Sequence, residues 1–266
     1  MDITAAQLVV FSPTGTTMKI VNAVAQGLHA AHIDCFDLTR PAADTQKISI
    51  KHDVLTIIGC PVYAGRLPAI AVSGLRKIRG GGAPAVIVVV YGNRAYEDAL
   101  LELRDVSMEA GFKPVAGGAF IGEHSYSTPA APIASGRPDA ADIHRAKVFG
   151  GMIRDKMRSI APSDRINELQ VPGNFPYKEL RGLQGISPST YEPACTRCGK
   201  CVSACPTAAI NADFSGSTDA NRCIRCCACV KTCPAGARKL DDARILQVAK
   251  QLSVNCRLRK EPETYL

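Results

Sequence analysis

Two copies of one cysteine spacing, both near the C-terminus, constrain this chain more than any other feature. Each copy reads C-x2-C-x2-C-x3-C-P. The copies consist of Cys195, Cys198, Cys201 and Cys205, and of Cys223, Cys226, Cys229 and Cys233. Chance almost never produces this run twice within about 40 residues, and the run is typical of the cysteine ligands of iron–sulfur clusters. The surrounding segment is too small to bury a normal hydrophobic core, so bound metal would supply much of its folding free energy.

Disulfides and zinc are the alternative uses of the twelve cysteines. A secreted disulfide framework is disfavoured because the N-terminus shows no signal peptide, and because a large apolar region precedes the cysteines. Zinc needs only four ligands per site and does not explain the paired Cys-Pro runs. Cys227 lies inside the second run, whose spacing is complete without it, and we expect it to be a small residue beside the cluster and not a ligand. Cys35 and Cys60 fall on predicted strands, and we expect both to be core thiols.

The formal net charge of +8 is concentrated on the cysteine-rich segment, where residues 195–240 carry seven basic and two acidic side chains. An oxidised 4Fe–4S core with four thiolates leaves roughly −2 per cluster, which offsets much of this excess. The basic residues concerned are Arg197, Lys200, Arg222, Arg225 and Lys231. We interpret them as compensation for cluster charge or as a docking face for an acidic redox partner. No basic stripe with interleaved aromatics is present, so we expect no nucleic-acid binding.

The chain shows no sign of a membrane span. Its longest apolar run, residues 83–90, contains a proline and is too short to cross a bilayer. With no signal peptide either, we expect a cytoplasmic protein.

The first 160 residues alternate between buried-strand and amphipathic-helix patterns. Strands are predicted at residues 7–11, 33–37, 54–60, 85–91 and 114–120, and helices at about residues 16–31, 68–79, 96–110 and 139–159. Near-continuous apolar strands separated by helices predict an α/β fold with a doubly wound, five-stranded parallel sheet. We therefore divide the chain into a domain at 1–160, a linker at 161–188, a cysteine-rich domain at 189–240 and a C-terminal helix and tail at 241–266.

The turn after the first strand, Ser12-Pro13-Thr14-Gly15-Thr16-Thr17, is rich in hydroxyl groups and opens a helix. Free N–H groups at such a helix start bind phosphate. The turn lacks the lysine of a nucleoside triphosphate loop, and no G-x-G-x-x-G follows the first strand. A monophosphate held by hydroxyls and amides remains, which fits FMN.

These motifs together resemble a known family. S-P-T-G-T-T is similar to the flavodoxin phosphate loop, [ST]-x-T-G-x-T. With PVYAGR (61–66), YGNRAY (91–96), GEHSYS (122–127) and RKEPE (259–263), the chain resembles proteins in which a flavodoxin-like domain is fused to a bacterial two-cluster ferredoxin. The resemblance implies a flavodoxin-like sheet, a small α+β ferredoxin domain with two 4Fe–4S clusters, and bound FMN.

The resemblance also implies roles for individual residues. The phosphate would be held by Ser12, Thr14, Gly15, Thr16 and Thr17. The isoalloxazine would be flanked by Pro61, Val62, Tyr63, Ala64 and Gly65 and by Tyr91, Gly92, Asn93, Arg94 and Tyr96. Many simple flavodoxins stack Trp on the flavin, but this chain has no Trp. Tyr63 or Tyr96 would stack instead, or one flavin face would stay open.

In two-cluster ferredoxins the fourth cysteine of each run binds the other cluster. One cluster would therefore be held by Cys195, Cys198, Cys201 and Cys233. The other would be held by Cys205, Cys223, Cys226 and Cys229. This crossing brings the clusters close together, as short electron hops require.

We therefore expect an electron-transfer protein of an anaerobe or facultative organism, moving electrons between two 4Fe–4S clusters and FMN and delivering them to a partner redox enzyme. The alternative is an FMN-dependent reductase that acts directly on a small organic acceptor. His124 is the candidate catalytic residue for such proton-coupled chemistry, and hydrogen bonding within its own loop is its other interpretation. Arg94 would compensate negative charge on a reduced flavin or bind partner carboxylates. A third hypothesis gives the clusters a structural or sensory role without turnover.

Overall fold

The computed structural model describes residues 3–40, 48–159, 167–180, 185–211, 213 and 216–266. The strands are β1 (Ala5–Val10), β2 (His32–Asp37), β3 (Leu55–Pro61), β4 (Pro84–Tyr91), β5 (Lys113–Ile121), β6 (Ser189–Thr190), β7 (Arg238–Lys239) and β8 (Glu263–Tyr265). The helices are α1 (Thr16–Leu28), α2 (Ala69–Arg76), α3 (Ala99–Glu109), α4 (Ala140–Ser159), α5 (Lys200–Ser203), α6 (Ala228–Lys231) and α7 (Ala243–Asn255). Every element predicted for the first 159 residues is present. Helix α3 begins later than predicted because Glu97 adopts a left-handed φ of 44°.

The main sheet has the strand order β2-β1-β3-β4-β5-β8. The first five strands are parallel and β8 is antiparallel. The order 2-1-3-4-5 is that of the flavodoxin-like doubly wound fold, which binds its ligands beyond the carboxyl ends of the strands, where the strand order reverses. Here the reversal lies between β1 and β3, and the hydroxyl-rich turn follows β1.

Two apolar cores sandwich the sheet. Helices α1 and α4 cover one face and α2 and α3 the other. The approach of α1 to α4 is so close that a Cβ at Gly27 or Gly150 would overlap the backbone of the opposite helix. Strand β2 is at the edge, so Cys35 is exposed and the expectation of a core thiol there is wrong, whereas Cys60 on β3 is fully buried as predicted.

The described part of the predicted linker packs against α3. The carboxylate of Asp98 accepts hydrogen bonds from the backbone N–H groups of Asn174 (2.9 Å) and Lys178 (2.7 Å). The hydroxyl of Tyr177 donates to Asp105 (2.6 Å). These contacts fix residues 167–180 on the first domain, while 161–166 and 181–184 lie outside the described residues.

The cysteine-rich segment is built from two similar halves. Each run contains a single-turn helix around its third cysteine, α5 in the first half and α6 in the second, and β6 pairs with β7 in a small antiparallel sheet. Helix α7 then leads the chain back toward the flavodoxin-like domain.

The C-terminal tail supplies a sixth strand that the sequence analysis did not predict. Gly117 pairs with Tyr265 and Ala119 with Glu263, so β8 covers the free edge of β5. Three residues next to a proline carry no strand signal of their own, and this strand forms only because β5 offers unpaired backbone groups.

Asn93, in the loop after β4, holds the start of this tail. Its Nδ2 donates to the carbonyl oxygens of Cys256 (2.8 Å) and Leu258 (2.9 Å), and its Oδ1 accepts from the N–H of Lys260 (3.2 Å). The side chain is buried and makes all three contacts at once. The tail is therefore anchored at the mouth of the strand-end loops.

Asn93→Asp is expected to lower the free energy of unfolding by about 2–4 kcal/mol, because a carboxylate would face two buried carbonyl oxygens in place of the amide donor. Asn22→Asp adds the same charge on the exposed side of α1 and is expected to change stability by less than about 0.5 kcal/mol. Urea unfolding of both variants measures the difference, and equal effects would show that the Asn93 contacts do not hold the tail.

Candidate functional site

A cavity of about 400 Å³ lies beyond the carboxyl ends of the parallel strands, between the flavodoxin-like domain and the cysteine-rich segment. Its walls come from the loops after β1, β3, β4 and β5, and from residues of the second cysteine run and α7. The predicted site residues that line it are Ser12, Thr14, Thr16, Thr17, Pro61, Val62, Tyr63, Ala64, Tyr91, Gly92, Arg94 and His124. The fold thus gathers loops that are distant in sequence around one space.

The loop after β1 has the geometry of an anion site. Gly15 caps α1 with a left-handed φ of 77°, and α1 has no side-chain cap and no acidic residue in its first turn. The Oγ of Ser12 accepts a hydrogen bond from the N–H of Met18 (3.0 Å). The remaining N–H groups of the first turn stay available for an anion, and the helix dipole favours negative charge there.

The loop after β3 is fixed by an ion pair between the half-buried Arg66 and the buried Glu102. Arg66 donates from Nε (2.8 Å) and Nη2 (2.7 Å) to the carboxylate of Glu102 on α3. Tyr63 and Arg66 close the turn through two backbone hydrogen bonds. This support holds Tyr63 at the wall of the cavity.

Four predicted residues do not line the cavity. Gly15 and Gly65 shape their turns with positive φ angles, while Asn93 and Tyr96 hold the C-terminal tail. The Tyr96 hydroxyl donates to Glu263 (2.7 Å) and lies 2.9 Å from the Tyr265 hydroxyl. Because Tyr96 is engaged there, Tyr63 is the tyrosine of the two that faces the cavity.

Sequence reasoning missed the walls that come from outside the flavodoxin-like domain. Ile224 and Arg225 belong to the second cysteine run, and Val248 and Leu252 to α7. Only the amphipathic pattern of α7 signalled a buried face, and nothing indicated what it faces. Lys231 of α6, assigned above to charge compensation or docking, reaches across to Glu123 in the loop after β5 (2.8 Å).

His124 lines the cavity and also bonds within its own loop, since its Nδ1 accepts from the N–H of Tyr126 (3.0 Å). The proton of the neutral ring is therefore on Nε2. Burial, together with the nearby charges of Arg94 and Lys231, lowers the pKa of His124 to about 4. At neutral pH His124 presents an N–H donor and is not an imidazolium acid.

This low pKa predicts an acid-dependent loss of stability. The unfolded chain takes up the histidine proton near pH 6.5, whereas the folded protein does so only near pH 4, so stability is complete above about pH 6.5 and falls as the pH drops toward 4. We expect His124 to contribute about 2 kcal/mol of this loss between pH 7 and pH 5. His124→Gln should reduce the loss by that amount in unfolding measurements at the two pH values. An unchanged pH dependence would contradict the burial of a neutral ring.

The eight motif cysteines line two smaller cavities. Cys195, Cys198, Cys201 and Cys233 line one of them. Cys205, Cys223, Cys226 and Cys229 line the other, together with Cys227. Of the eight motif cysteines, each cavity thus has three from one run and the fourth from the other run. Within the described residues, no group of three or more histidine, cysteine or acidic side chains forms a site for a single metal ion.

Backbone N–H groups point at the sulfur atoms of the second set. The N–H of Ala209 lies 3.2 Å from Sγ of Cys205, and that of Arg225 lies 3.4 Å from Sγ of Cys223. Such donors favour thiolate over thiol and tune iron–sulfur centres. The donor set therefore fits 4Fe–4S ligation.

Cys227 has a conformational explanation that the sequence did not reveal. The two runs align so that Cys227 corresponds to Gly199. Gly199 caps α5 with φ 71°, and Cys227 caps α6 with φ 60°. Cys227 therefore occupies a left-handed position where glycine is favoured.

Cys227→Gly is expected to keep the full iron content, and to change stability by less than about 1 kcal/mol because relief of the left-handed backbone offsets the lost burial. Cys226→Ala, one residue away, should lose iron from its cavity. Iron quantification on anaerobically purified protein compares the two, and a loss of iron in Cys227→Gly would identify Cys227 as a ligand.

The cavity of about 400 Å³ beyond the strand ends, which we name the strand-end cavity, is a neighbour of the second cysteine cavity. Ile224 lines both. Burial raises the pKa of the Tyr63 phenol well above its usual range, and the thiols of Cys226 and Cys227 lie close enough to raise it further. Tyr63 and Ile224 thus stand between the strand-end loops and the second set of cysteines.

Comparison with known proteins agrees with this two-part organisation. Residues 188–234 match the family described as 4Fe-4S dicluster domain. No curated protein matches the chain in sequence. The chain thus combines a flavodoxin-like fold with a segment that is similar to 4Fe–4S dicluster domains.

Solved flavodoxins resemble the first part of the chain. A flavodoxin from Archaea is 14% identical and covers 58% of this chain and 99% of its own, with a TM-score of 0.40. A Streptococcus pneumoniae flavodoxin is 18% identical over 57% of this chain and 99% of its own, at 0.39. A Fusobacterium nucleatum flavodoxin bound to flavin mononucleotide is 14% identical over 58% and 96%, at 0.35. At these scores the flavodoxin-like assignment rests on the strand order.

None of the helices in the described ranges is both long and apolar enough to cross a membrane.

Proposed function

We propose that this chain is an electron-transfer protein that moves electrons between two 4Fe–4S clusters and FMN and delivers them to a partner redox enzyme. The observation that carries the proposal is the wall shared by the strand-end cavity and the second cysteine cavity, where Ile224 lines both. Electron transfer needs short distances between centres, and the side chain of Ile224 borders both spaces. The match of residues 188–234 to a dicluster domain supports the same proposal.

The two clusters are assigned by the cavities that the thiols share. One set, which we name the distal set, is Cys195, Cys198, Cys201 and Cys233. The other, the proximal set, is Cys205, Cys223, Cys226 and Cys229 and lies next to the strand-end cavity. The crossed ligation expected of two-cluster ferredoxins agrees with both groupings.

FMN is assigned to the strand-end cavity. Its phosphate would be held by the hydroxyls and N–H groups of the loop from Ser12 to Thr17, which has no acidic side chain to repel it. The loops from Pro61 to Gly65 and from Tyr91 to Arg94 would flank the ring system, with Tyr63 on the side of the proximal set. His124 would donate a hydrogen bond from Nε2. Bound FMN supplies two-electron storage, and the clusters supply one-electron transfer.

The distal set provides the entry point for a redox protein partner. Cys198 is exposed, as are Arg197 and Lys200 beside it. A basic surface around an exposed cluster ligand favours docking of an acidic electron carrier. Electrons would enter at the distal set and pass the proximal set on the way to the flavin.

A second candidate is a reductase that acts on a small organic acceptor over the flavin. His124 and Arg94 favour it, because both line the cavity with polar groups that could orient an acceptor. The two functions differ in whether turnover needs a protein acceptor.

Anaerobic purification followed by quantification of iron and flavin tests the proposal. We expect about eight irons and one FMN per chain. Reduced ferredoxin is then supplied with small organic acceptors alone, and the flavin is expected to become reduced and to stay reduced. Sustained turnover without a protein acceptor would favour the reductase, and the absence of FMN would refute both functions.

A further inference from the structure

Arg238 is a buried arginine at the centre of the cysteine-rich segment. Its side chain is only 3% exposed. Nη1 donates to Oγ1 of Thr190 (2.7 Å) and to the carbonyl of Gly216 (2.6 Å). Nη2 donates to the carbonyl of Pro188 (3.0 Å) and to Oγ1 of Thr218 (2.7 Å). Every one of these acceptors is neutral.

The described residues offer Arg238 no carboxylate. None of the ion pairs in the described ranges includes it, and its Nε is buried without a hydrogen-bond partner. A buried charge without a counter-ion is costly. A negative charge nearby would therefore be needed to offset the cost of burying this guanidinium.

Both cysteine sets lie beside Arg238. The side chain lines the cavity of the distal set. On its other side, Nη2 lies 3.8 Å from Sγ of Cys229, a member of the proximal set. Arg238 is thus a fixed positive charge between the two sets of thiols.

We propose that Arg238 sets the reduction potentials of both clusters, which serve as its counter-ions. This inference rests on the proposed two-cluster function. Reduction adds an electron to a cluster that is already negative. A buried cation stabilises the reduced form more than the oxidised one, and the low dielectric of the interior strengthens the effect. Arg238 therefore raises both potentials and keeps the clusters reducible by carriers of moderate potential.

The sequence offers a matched control one residue away. Lys239 is exposed and lies over the ring of Tyr191, 5.2 Å from its centroid. Lys239→Gln removes the same unit of charge as Arg238→Gln, but from a position in water, where screening weakens its action on the clusters. Arg238→Lys keeps the charge and loses the forked hydrogen bonds.

Redox titration of the anaerobic holoprotein, followed by the EPR signals of the reduced clusters, tests the proposal. In Arg238→Gln we expect the equilibrium constant for reduction of each cluster to fall at least tenfold, which is about 59 mV for a one-electron couple. Lys239→Gln should match the parent protein, and Arg238→Lys should recover most of the shift. If Arg238 acted only through its hydrogen bonds, Arg238→Lys would shift the reduction potentials as much as Arg238→Gln does.

Potentials in Arg238→Gln equal to those in Lys239→Gln would overturn the proposal. If Arg238→Gln holds no clusters, Thr190→Asp replaces it, since the new carboxylate would neutralise the guanidinium in place. An unmoved potential in Thr190→Asp would then overturn the proposal. The iron content of the parent protein separates the two claims. About four irons per chain would contradict the two-cluster function itself. About eight irons, with potentials that do not change in the variants, would refute only the role of Arg238.

Discussion

Cys233→Ser is expected to disturb the cluster bound by the first cysteine run, although Cys233 belongs to the second run. Cys233 lines the cavity of Cys195, Cys198 and Cys201. Loss of its thiolate removes the fourth ligand of that cluster and leaves the proximal set complete. We expect the iron content to fall from about eight to about four per chain, or the EPR signal of that one cluster to change if serine oxygen replaces the ligand.

The crossed assignment is tested more sharply by asking which variants alter the EPR signal of the same cluster. Cys233→Ser should alter the same signal as Cys198→Ser, and Cys205→Ser the same signal as Cys226→Ser. Cys35→Ser is the matched control, because Cys35 is an exposed thiol on β2 that lines neither cysteine cavity. If Cys233→Ser instead altered the same signal as Cys226→Ser, each run would hold its own cluster and the crossed assignment would be wrong.

Thr16→Asp is expected to weaken FMN binding by at least 100-fold, which is about 2.7 kcal/mol. Thr16 opens α1 at the wall of the cavity, so its replacement would place a carboxylate where the flavin phosphate is proposed to lie. Two like charges at that distance repel strongly in a partly buried site. The same aspartate improves the helix start, so the flavin-free protein should be equally stable or slightly more so.

Thr16→Asn is the control for this substitution. It has the same shape as the aspartate and also removes the methyl group that packs near Gly122, but it carries no charge. Flavin fluorescence titration of the flavin-free protein should give a dissociation constant close to that of the parent for Thr16→Asn. Equal weakening in both variants would indicate that shape, and not phosphate recognition, explains the effect.

The sheet was predictable from sequence because its signals are local. Strands β3, β4 and β5 are near-continuous apolar runs, and the helices between them have one apolar face each. The turn from Ser12 to Thr17 could likewise be placed, because hydroxyl groups and a glycine between a strand and a helix are typical of phosphate loops. The cysteine spacing is a stronger signal still, since it predicts the cluster ligands residue by residue.

What the sequence could not reveal depends on contacts between distant segments. The position of Tyr96 after β4 predicts a place beside the flavin, but its hydroxyl binds Glu263 and Tyr265 at the other end of the chain. Asn93 likewise serves the tail. In the sequence, Ile224 is only a residue between two predicted cluster ligands. It reaches the cavity wall because the second cysteine run packs against the carboxyl ends of the strands.

The most direct test of the account is the rate of flavin reduction after rapid reduction of the clusters in the anaerobic protein. We expect the flavin to be reduced in a phase whose rate does not depend on protein concentration, because electrons would pass from the proximal set to FMN within one molecule. Cys233→Ser should slow entry of electrons, and Thr16→Asp should abolish the phase. A rate that rises in proportion to protein concentration, or a flavin that stays oxidised beside reduced clusters, would contradict the account.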